Sequence, residues 1–500
     1  MELNVLSQHP QEHGASHLEH CMNACREQFN HLLSDMIASQ HQEAHKVEAS
    51  LFKQLMELGL LLLNLFFLNH HQGDYGETIQ TVQGLATRGR PSERSYFSIF
   101  GKLTVRRYLY AVDTMSFAPF DHLLNLPSRC YSYFLAERVN LLNVQGVYAE
   151  TVHLFHKCFD LKLSVSAVET MSQESAPLYE AYYAHKQMRP QVEKHEDYTV
   201  VSFDGKGVPM IKKEAAKIKA RLGKGEKKQK KKEALVGVTY TINAHSRTAE
   251  EVASHLVFPE QCASVSSTPE KAQSIRYMAS IERPKSYVMH EIKRAVHAEN
   301  FDETPLICVM DGAKALWTCF QEAFKDIKNK TLILDIIHVL EYIWLIAHVK
   351  YKEGSEQAKR YVYEKLLLIL QGKTASYILE LQNEMLSGAW KRSHKKTFEK
   401  VITYLKNHKQ YMKYDEYLAR GYPIGSGVVE SACSHVVKNR MEVAGARWSV
   451  SGAEAILQLR SVVKSQDWND YWEFYTSRTQ QREFLPPTVN LLNLQQKIPA

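Results

Sequence analysis

The chain has 500 residues, of which 44% are hydrophobic and 23% charged, as expected for a soluble protein of two or three domains. Its eight cysteines are scattered without a CxxC pair, which argues against a disulfide framework and favours reduced thiols in the cytosol. The net charge of +7 comes from one segment, because residues 212–232 hold eleven Lys or Arg and only two Glu. Such a run can bind nucleic-acid phosphates, or it can be a solvated loop without a specific partner.

Residues 1–90 have the pattern of helices with polar joints, and the sequence leaves their role open. Their most apolar run, "LFKQLMELGLLLLNLFFL" at residues 51–68, is long enough to cross a bilayer. Lys53, Glu57 and Asn64 interrupt this run. These polar residues favour a buried or oligomer-forming helix, and we therefore expect no membrane partner.

Residues 91–195 begin with a hairpin pattern. The stretch "YFSIFGKLTVRRYL" (96–109) alternates apolar and polar residues around Gly101-Lys102, which predicts a β-hairpin. Arg106 and Arg107 lie near its end and are candidate DNA contacts.

Short helices are predicted next, over residues 136–176. The joint "DLKLS" leads into a helix over 165–173, which Ser164 would cap. A short turn followed by a helix with a polar start is the helix-turn-helix pattern of many DNA-binding proteins. Any two packed helices can have this pattern, so sequence-specific DNA binding by this segment is a hypothesis.

Residues 196–338 have an α/β pattern. Apolar runs predict strands at 198–203, 234–242, 255–258, 306–310 and 331–334, with a helix near 286–298. Three strands followed by strand–helix–strand indicate a mixed sheet with helices on its faces. The lysine-rich segment then falls in the loop between the first two strands.

The rest of the chain is predicted to be mainly helical. Residues 339–420 have helical periodicity throughout and form an all-helical insertion, after which residues 421–465 return to the sheet domain. Residues 466–500 are predicted to be one aromatic-rich helix and a polar tail.

Three of the predicted strands end in an aspartate, at Asp204, Asp311 and Asp335. Ligands of open α/β sheets collect at the carboxyl ends of strands, although an aspartate there can also simply cap a helix. Neighbouring strands lie about 4.8 Å apart. If the first strand lies beside 306–310, Asp204 and Asp311 converge, and we expect Asp335 to fall outside.

A fourth carboxylate, Glu430, lies within the stretch "YPIGSGVVES" at residues 422–431. Its glycines, Gly425 and Gly427, would let a helix start close to the sheet and bring Glu430 to the two aspartates. Three acidic oxygen donors suit Mg²⁺ or Mn²⁺ rather than zinc. Two such ions can clamp the attacking and leaving oxygens of a phosphoryl transfer.

Asp335 has a pattern of its own, because His338 follows it at helical spacing in "DIIHVLEYIW". The pair is either a helix cap with a packed histidine, or a DNA contact or proton relay beside the metal site.

Basic and aromatic residues follow Glu430 in "SHVVKNRMEVAGARWS". Lys438 lies two turns from Glu430 on the same predicted stripe, which suits a phosphate contact. Arg440 and Arg447 are further candidate DNA contacts, and Trp448 could stack on a flipped base or pack in the core.

Taken together, "SFDGKG", "VMDGAKALW", "LDIIHVLEYIW" and "YPIGSGVVESACSHVVKNRMEVAGARWSVSGAEAILQLRS" resemble bacterial insertion-sequence transposases of the DDE type. The similarity covers roughly residues 95–465 and is greatest to the Kra-type (ISKra) family, which is related to the Mutator-like superfamily. The last motif is the most specific of the four.

This resemblance implies an RNase H-like α/β core with a mixed sheet and an all-helical insertion, preceded by a mainly helical DNA-binding region. Asp204, Asp311 and Glu430 would be the catalytic triad that binds two Mg²⁺ ions, for which Mn²⁺ can substitute. Asp335 and His338 match the D-x-x-H signature of the Mutator-like relatives.

The expected partners are double-stranded DNA, at the element's inverted repeats and at its target, and further copies of the chain in a dimer or larger assembly. The expected location is the bacterial cytoplasm, at the nucleoid. The unusually long basic loop adds candidate DNA contacts, namely Lys227, Lys228, Lys230, Lys231 and Lys232.

Three other functions compete with a transposase. A catalytically silent former transposase would bind DNA as a regulator, but the intact set of acidic residues argues against it. A different RNase H-like nuclease, such as a junction resolvase, fits the large insertion poorly. A Rossmann-type enzyme using "DGKG" lacks the GxGxxG spacing.

Overall fold

The computed structural model describes residues 14–70, 73–81, 84–187, 196–218, 230–261, 271–297, 305–443 and 445–483. Its strands are β1 (Thr78–Thr81), β2 (Gly84–Ser98), β3 (Gly101–Val112), β4 (Met115–Phe117), β5 (Tyr198–Pro209), β6 (Lys231–Ile242), β7 (Gln273–Ser280), β8 (Leu306–Met310) and β9 (Lys330–Leu334).

The helices of the first half are α1 (Gly14–Ala38), α2 (Ala44–Leu68), α3 (Pro119–Leu123), α4 (Tyr133–Asn143), α5 (Tyr148–Phe159), α6 (Val165–Ser175), α7 (Tyr179–Gln187), α8 (Lys212–Lys217) and α9 (Ala249–Val257). Those of the second half are α10 (Lys285–His297), α11 (Lys314–Ala323), α12 (Ile336–Lys350), α13 (Glu356–Leu370), α14 (Thr374–Ser387), α15 (Arg392–His408), α16 (Tyr414–Ala419), α17 (Gly427–Ala432), α18 (Asn439–Met441), α19 (Val450–Lys464) and α20 (Trp468–Glu483). A π-helical segment, Cys433–Lys438, joins α17 to α18.

The chain divides into two compact units. The first contains the described residues up to Leu178 together with those from Asn469 onward, and the second runs from Tyr179 to Trp468.

The first unit contains a four-stranded antiparallel sheet in the order β1-β2-β3-β4. The predicted hairpin is confirmed: β2 and β3 pair in antiparallel register, with Ser98 opposite Gly101. Its turn lies two residues earlier than the sequence suggested. Gly101 has a φ of 138°, a backbone angle that residues other than glycine rarely adopt.

The predicted helix-turn-helix connection is also present in the first unit. α5 ends at Asp160 in the left-handed region, with φ 51°, and α6 begins after Ser164. The Ser164 side chain accepts a hydrogen bond from the Ala167 amide and so caps α6 as expected. Between α4 and α6, Asn140 hydrogen-bonds Ser172 and Ser175 in the buried interface.

The second unit is built on a five-stranded mixed sheet in the order β7-β6-β5-β8-β9. β5 pairs antiparallel with β6 and parallel with β8, and β8 pairs parallel with β9. The mixed α/β class and the neighbouring positions of β5 and β8 are therefore as predicted. The buried residues of the sheet are mainly apolar, and every residue of β8 is buried.

The predicted strand at 255–258 is wrong, because residues 255–257 form the last turn of helix α9 and Phe258 is its C-cap. Thr248 and Glu251 form a reciprocal capping box that starts α9. The third strand of the sheet is β7, which pairs with β6 through a register shift between Thr239 and Thr241. Its sequence, "QSIRYMAS", lacks the continuous apolar run by which the other buried strands were predicted.

The predicted all-helical segment is confirmed for residues 336–419, which form helices α12 to α16 and a short 3₁₀ turn. Leucine, isoleucine and tyrosine side chains of these helices form their buried face, including Leu366, Tyr377 and Leu405.

Among the described helices, α2 is long and apolar enough to cross a membrane. Only 11% of its most apolar window is buried. One such helix is weak support for a membrane span, since soluble proteins also contain helices of this kind.

Candidate functional site

Asp204 and Asp311 lie next to each other at one end of the sheet. Phe203 pairs with Met310 across the parallel strands β5 and β8, so the two aspartates follow in adjacent positions. β5 does not end at Asp204 as predicted, because its pairing with β6 continues to Pro209. The Asp204 carboxylate accepts a hydrogen bond from the Gly205 amide, and that of Asp311 accepts one from the Ala313 amide.

Asp335 follows β9 and caps helix α12. Its carboxylate accepts hydrogen bonds from the Ile337 amide at 3.1 Å and from the Ser426 amide at 3.1 Å. The His338 ring nitrogen Nδ1 lies 2.7 Å from Asp335 Oδ2. The capping aspartate of the simpler interpretation is therefore confirmed, whereas the His338 side chain is 34% exposed.

The structure nevertheless brings Asp335 into the acidic site. Among the described residues, Asp335, His338 and Glu430 are the group of three whose possible metal-ligand atoms all lie within 4.8 Å of one another. Asp335 therefore lies beside Glu430, whereas the grouping of Glu430 with Asp204 and Asp311 stays a prediction. Asp204 and Asp311 belong to the same neighbourhood through their charges, but they are not members of this tight group.

Asp335 lies beside Glu430 because the segment before Glu430 bonds to the end of β9. The Ile336 amide donates to the Ile424 carbonyl, and Ser426 bonds to Asp335 through both its amide and its hydroxyl. α17 therefore starts against the end of β9. Glycine is not needed for this approach, because a Cβ at Gly425 would lie 3.8 Å from Asp335 Oδ1, and one at Gly427 would meet nothing within 4 Å.

Electrostatic interactions link Asp204, Asp311, Asp335 and His338. Burial raises the pKa of Asp311 above its usual value, and the negative charges of Asp204 and Asp335 raise it further. Burial would also raise the pKa of Asp335, but hydrogen bonds from His338, Ser426 and Ile337 outweigh this effect, so its pKa is lowered. The hydrogen bond to Asp335 raises the pKa of His338 to about 9, so this ring is protonated at neutral pH.

Cys433 connects the Glu430 helix to Asp204. Its thiol is buried in the π-helical segment and lies close to the Asp204 side chain. Burial and the nearby Asp204 charge raise the pKa of this thiol, which therefore stays neutral. π-Helical turns inside α-helices often occur at functional sites. The π-helical turn also changes the number of residues per turn between Glu430 and Lys438. These two residues therefore do not lie on the one stripe of a regular α-helix that was predicted.

The helical insertion reaches the site through Tyr404 of α15. Its ring packs on Gly312, where an added Cβ would lie 2.4 Å from Tyr404 Cε2. It also stacks on Tyr342, with the ring centroids 3.7 Å apart. The Tyr404 hydroxyl is buried and has no hydrogen-bond partner among the described residues. Burial raises the pKa of this phenol, and the charges of Asp311 and Asp335 add to the effect.

Three lysines surround Glu442, on β5, on β6 and on the helical segment that follows Glu430. Lys231 forms an ion pair with Glu442, and Lys206 and Lys438 act on the same carboxylate. The hydrogen bond from Lys231 is the main cause of the lowered pKa of Glu442. Lys230, Lys438 and Arg447 have exposed side chains, as DNA contacts require.

Three predicted DNA contacts are corrected. Arg440 is only 1% exposed and packs over the Trp448 ring, itself 5% exposed, at 4.6 Å. Both residues are therefore core residues of the second unit. Arg107 is largely buried in an ion pair with Asp121, which Arg94 shares, and this pairing explains its place in β3.

The other predicted contacts remain candidates. Arg106 is exposed on β3, Lys231 is exposed, and Lys232 is half-buried in β6. Lys227 and Lys228 lie outside the described residues.

Three residues of the site were not predicted from sequence: Ser426, Cys433 and Tyr404. Ser426 lies in the "GSG" turn just before Glu430, and this position could have identified it as a site residue. The other two become neighbours of the aspartates only through the π-helical turn and the packing of the insertion. No protein-family model matches the chain, and no curated protein sequence matches it.

Proposed function

We propose that the chain is a DDE-type transposase, which cleaves DNA at the ends of its element and joins the 3′-hydroxyls to a target. The observation that carries this proposal is the gathering of Asp204, Asp311, Asp335 and Glu430 at one end of a mixed sheet. The resemblance of the surrounding motifs to Kra-type transposases supplies the reaction class.

The proposed core is RNase H-like. In support of it, β7, β6 and β5 are consecutive antiparallel strands, and β8 and β9 continue the sheet parallel to β5. An all-helical insertion then separates β9 from the helix that carries Glu430, as the resemblance implies.

The proposed cofactor is a pair of Mg²⁺ ions, for which Mn²⁺ can substitute. The residues fit such ions, because carboxylates supply most of the available donors and the His338 Nδ1 atom is engaged by Asp335. When bound, the ions would activate the attacking oxygen and stabilise the leaving oxygen. Asp204 and Asp311 would hold them on the β5–β8 side, and Glu430 and Asp335 on the β9 side.

The protein's own groups then have separate tasks. His338 donates a hydrogen bond to Asp335 and keeps that buried carboxylate ionised. Lys206, Lys438 and Arg447 would hold backbone phosphates of double-stranded DNA near the carboxylates. The hairpin and the α5–α6 pair of the first unit would bind the inverted repeats, and we expect the active form to be a dimer or larger assembly.

The proposal is tested by an excision assay in bacterial cells. A marked cassette bounded by the gene's own flanking DNA is supplied with the wild type, with Glu430→Gln, or with Glu416→Gln as an exposed control on α16. We expect excision with the wild type and the control only. End binding by both the wild type and Glu430→Gln without excision would instead favour a catalytically silent DNA-binding protein. Excision by Glu430→Gln at the wild-type rate would remove Glu430 from the site.

A further inference from the structure

The α1–α2 hairpin has an apolar face whose side chains are about half exposed. α1 and α2 are 25 residues each, and they pack antiparallel in the first unit. On this face Phe29 and Leu33 of α1 are 49% and 46% exposed, and Leu55 and Leu62 of α2 are 48% and 49% exposed. The proposed function assigns these helices no role.

The contacts between α1 and α2 identify the side of each helix that faces the other. Gln28 donates to Glu57, Gln54 donates to Asp35, and the Cys21 thiol bonds the Leu61 carbonyl. The residue that follows each contact residue points in a direction rotated by about 100° around the helix axis. In an antiparallel pair this rotation leads to the same side of both helices.

The side reached in this way is apolar on both helices. On α1, Phe29 follows Gln28. On α2, Leu55 follows Gln54 and Leu62 follows Leu61. The opposite rotation reaches Leu60, which is fully buried in the core with residues of β3 such as Leu103. The apolar face therefore points away from the sheet of its own unit.

The residues of α2 on this face form a repeat. They are spaced alternately four and three apart, which is the heptad spacing of helices that pack by inserting side chains between those of a partner helix. We call this set the leucine seam; it consists of Leu51, Leu55, Leu58, Leu62 and Leu65. Lys53 and Glu57 are the charged residues within its span, and neither belongs to the seam.

We propose that the leucine seam, together with Phe29 and Leu33, binds the same face of a second copy of the chain, so that two hairpins form a four-helix bundle. Helices of 25 residues are about 37 Å long, and a pair is about 20 Å wide. The resulting face is close to the roughly 800 Å² per partner of a standard interface. A heptad seam complements itself, and a two-fold axis would place seam against seam.

The other kinds of partner fit less well. Nucleic acid would need cations, and the seam has none. A bilayer would have to take up α2 alone, which would remove Leu60 and Phe67 from their core and break the hydrogen bonds to α1. This proposal does not depend on the chain being a transposase.

The test is sedimentation velocity of the purified full chain across a dilution series, without DNA or metal. The seam variant is Leu55→Lys/Leu62→Lys. The matched control is Leu379→Lys/Leu386→Lys on α14, which makes the same changes at leucines that are 61% and 78% exposed. Circular dichroism checks that each variant is folded.

We expect dimers for the wild type and the control, and monomers for the seam variant. A milder Leu55→Ala/Leu62→Ala variant, useful if the lysines disturb folding, should raise the dimer Kd by at least about a hundredfold. A monomeric wild type, or a seam variant that dimerises like the control, would overturn the proposal. So would flotation of a monomeric wild type with phosphatidylcholine vesicles, which would assign the face to a membrane.

Discussion

The carboxylates of Asp335 and Glu430 share one hydroxyl group. Ser426 Oγ lies 2.8 Å from Asp335 Oδ2 and 3.0 Å from Glu430 Oε1. A serine hydroxyl has a single proton, so it can donate to only one of these oxygens at a time. The other oxygen is left for a proton or a cation, and this geometry supports a metal at the end of β9.

Ser426→Ala should therefore weaken metal binding. Without the hydroxyl, the exposed Glu430 side chain loses the contact that holds it beside Asp335. Residues that orient metal ligands typically change affinity by about 10- to 100-fold, and we expect roughly a tenfold loss here. Mn²⁺ titration by calorimetry or electron paramagnetic resonance measures it.

Ser431→Ala is the matched control, because Ser431 lies on the same helix but pairs with His435 on the exposed side. Equal Mn²⁺ affinities of Ser426→Ala and the wild type would show that the shared hydroxyl does not organise the site.

Tyr404→Phe should lower the rate of strand cleavage while leaving the fold intact. The substitution keeps the stack on Tyr342 and the packing on Gly312 but removes a buried hydroxyl that lies close to Asp311. This hydroxyl makes no hydrogen bond to a described residue, so it can donate to the reacting phosphate group. A hydrogen bond to a charged group contributes about 1.5–3 kcal/mol, so we expect a rate loss of roughly 10- to 100-fold.

The control for this variant is Tyr411→Phe, which removes a hydroxyl from the same insertion but keeps the stack on Trp317. Single-turnover rates at saturating DNA separate cleavage from binding. Identical rates for Tyr404→Phe and Tyr411→Phe would exclude a role for the Tyr404 hydroxyl in the reaction.

Arg440 and Arg447 should respond differently to the same substitution. Arg440→Gln empties a buried site beside Trp448 and should destabilise the second unit by roughly 2 kcal/mol. Arg447→Gln changes an exposed side chain, so it should leave the thermal melt unchanged and reduce the salt dependence of DNA binding by about one phosphate contact. A salt slope that changed with Arg440 and not with Arg447 would contradict the burial of the first and the exposure of the second.

The Asp335–His338 pair should make the stability of the metal-free protein depend on pH. The pKa of His338 is raised from 6.5 to about 9, so its stabilisation is complete below pH 6.5 and is lost as the pH rises through about 9. The pKa of Asp335 is lowered, so its contribution is lost only in acid. We expect the Tm difference between the wild type and His338→Gln to shrink from pH 6.5 to 9 in the presence of a chelator. A difference that stays constant over this range would mean that His338 is neutral in the folded protein.

The sequence predicted those parts of the structure that depend on local patterns. Apolar runs located β5, β6, β8 and β9, and the Ser164 cap and the β2–β3 hairpin follow from short-range turn and capping chemistry. The start of α9 could also have been predicted, because Thr248 and Glu251 have the spacing of a capping box.

Features set by long-range packing were not predictable in the same way. Strand spacing placed Asp335 two strands from Asp204, which is correct for the sheet order. It could not show that Ser426 would bond Asp335 and start α17 there, because that contact joins residues 91 positions apart. Arg440 and Arg447 are equally basic in sequence, and only the packing of Trp448 distinguishes the buried one from the exposed one.

The most direct test of the central claim, that the carboxylates at this end of the sheet drive DNA cleavage, is an in vitro assay. Purified wild type, Asp204→Asn, Asp311→Asn and Glu430→Gln are each incubated with a labelled DNA duplex carrying the element end, with Mg²⁺ or with chelator. Strand cleavage by the wild type in Mg²⁺ only, with cleavage below detection and end binding retained in all three variants, is the predicted result. Cleavage in chelator, or undiminished cleavage by the three variants, would contradict it.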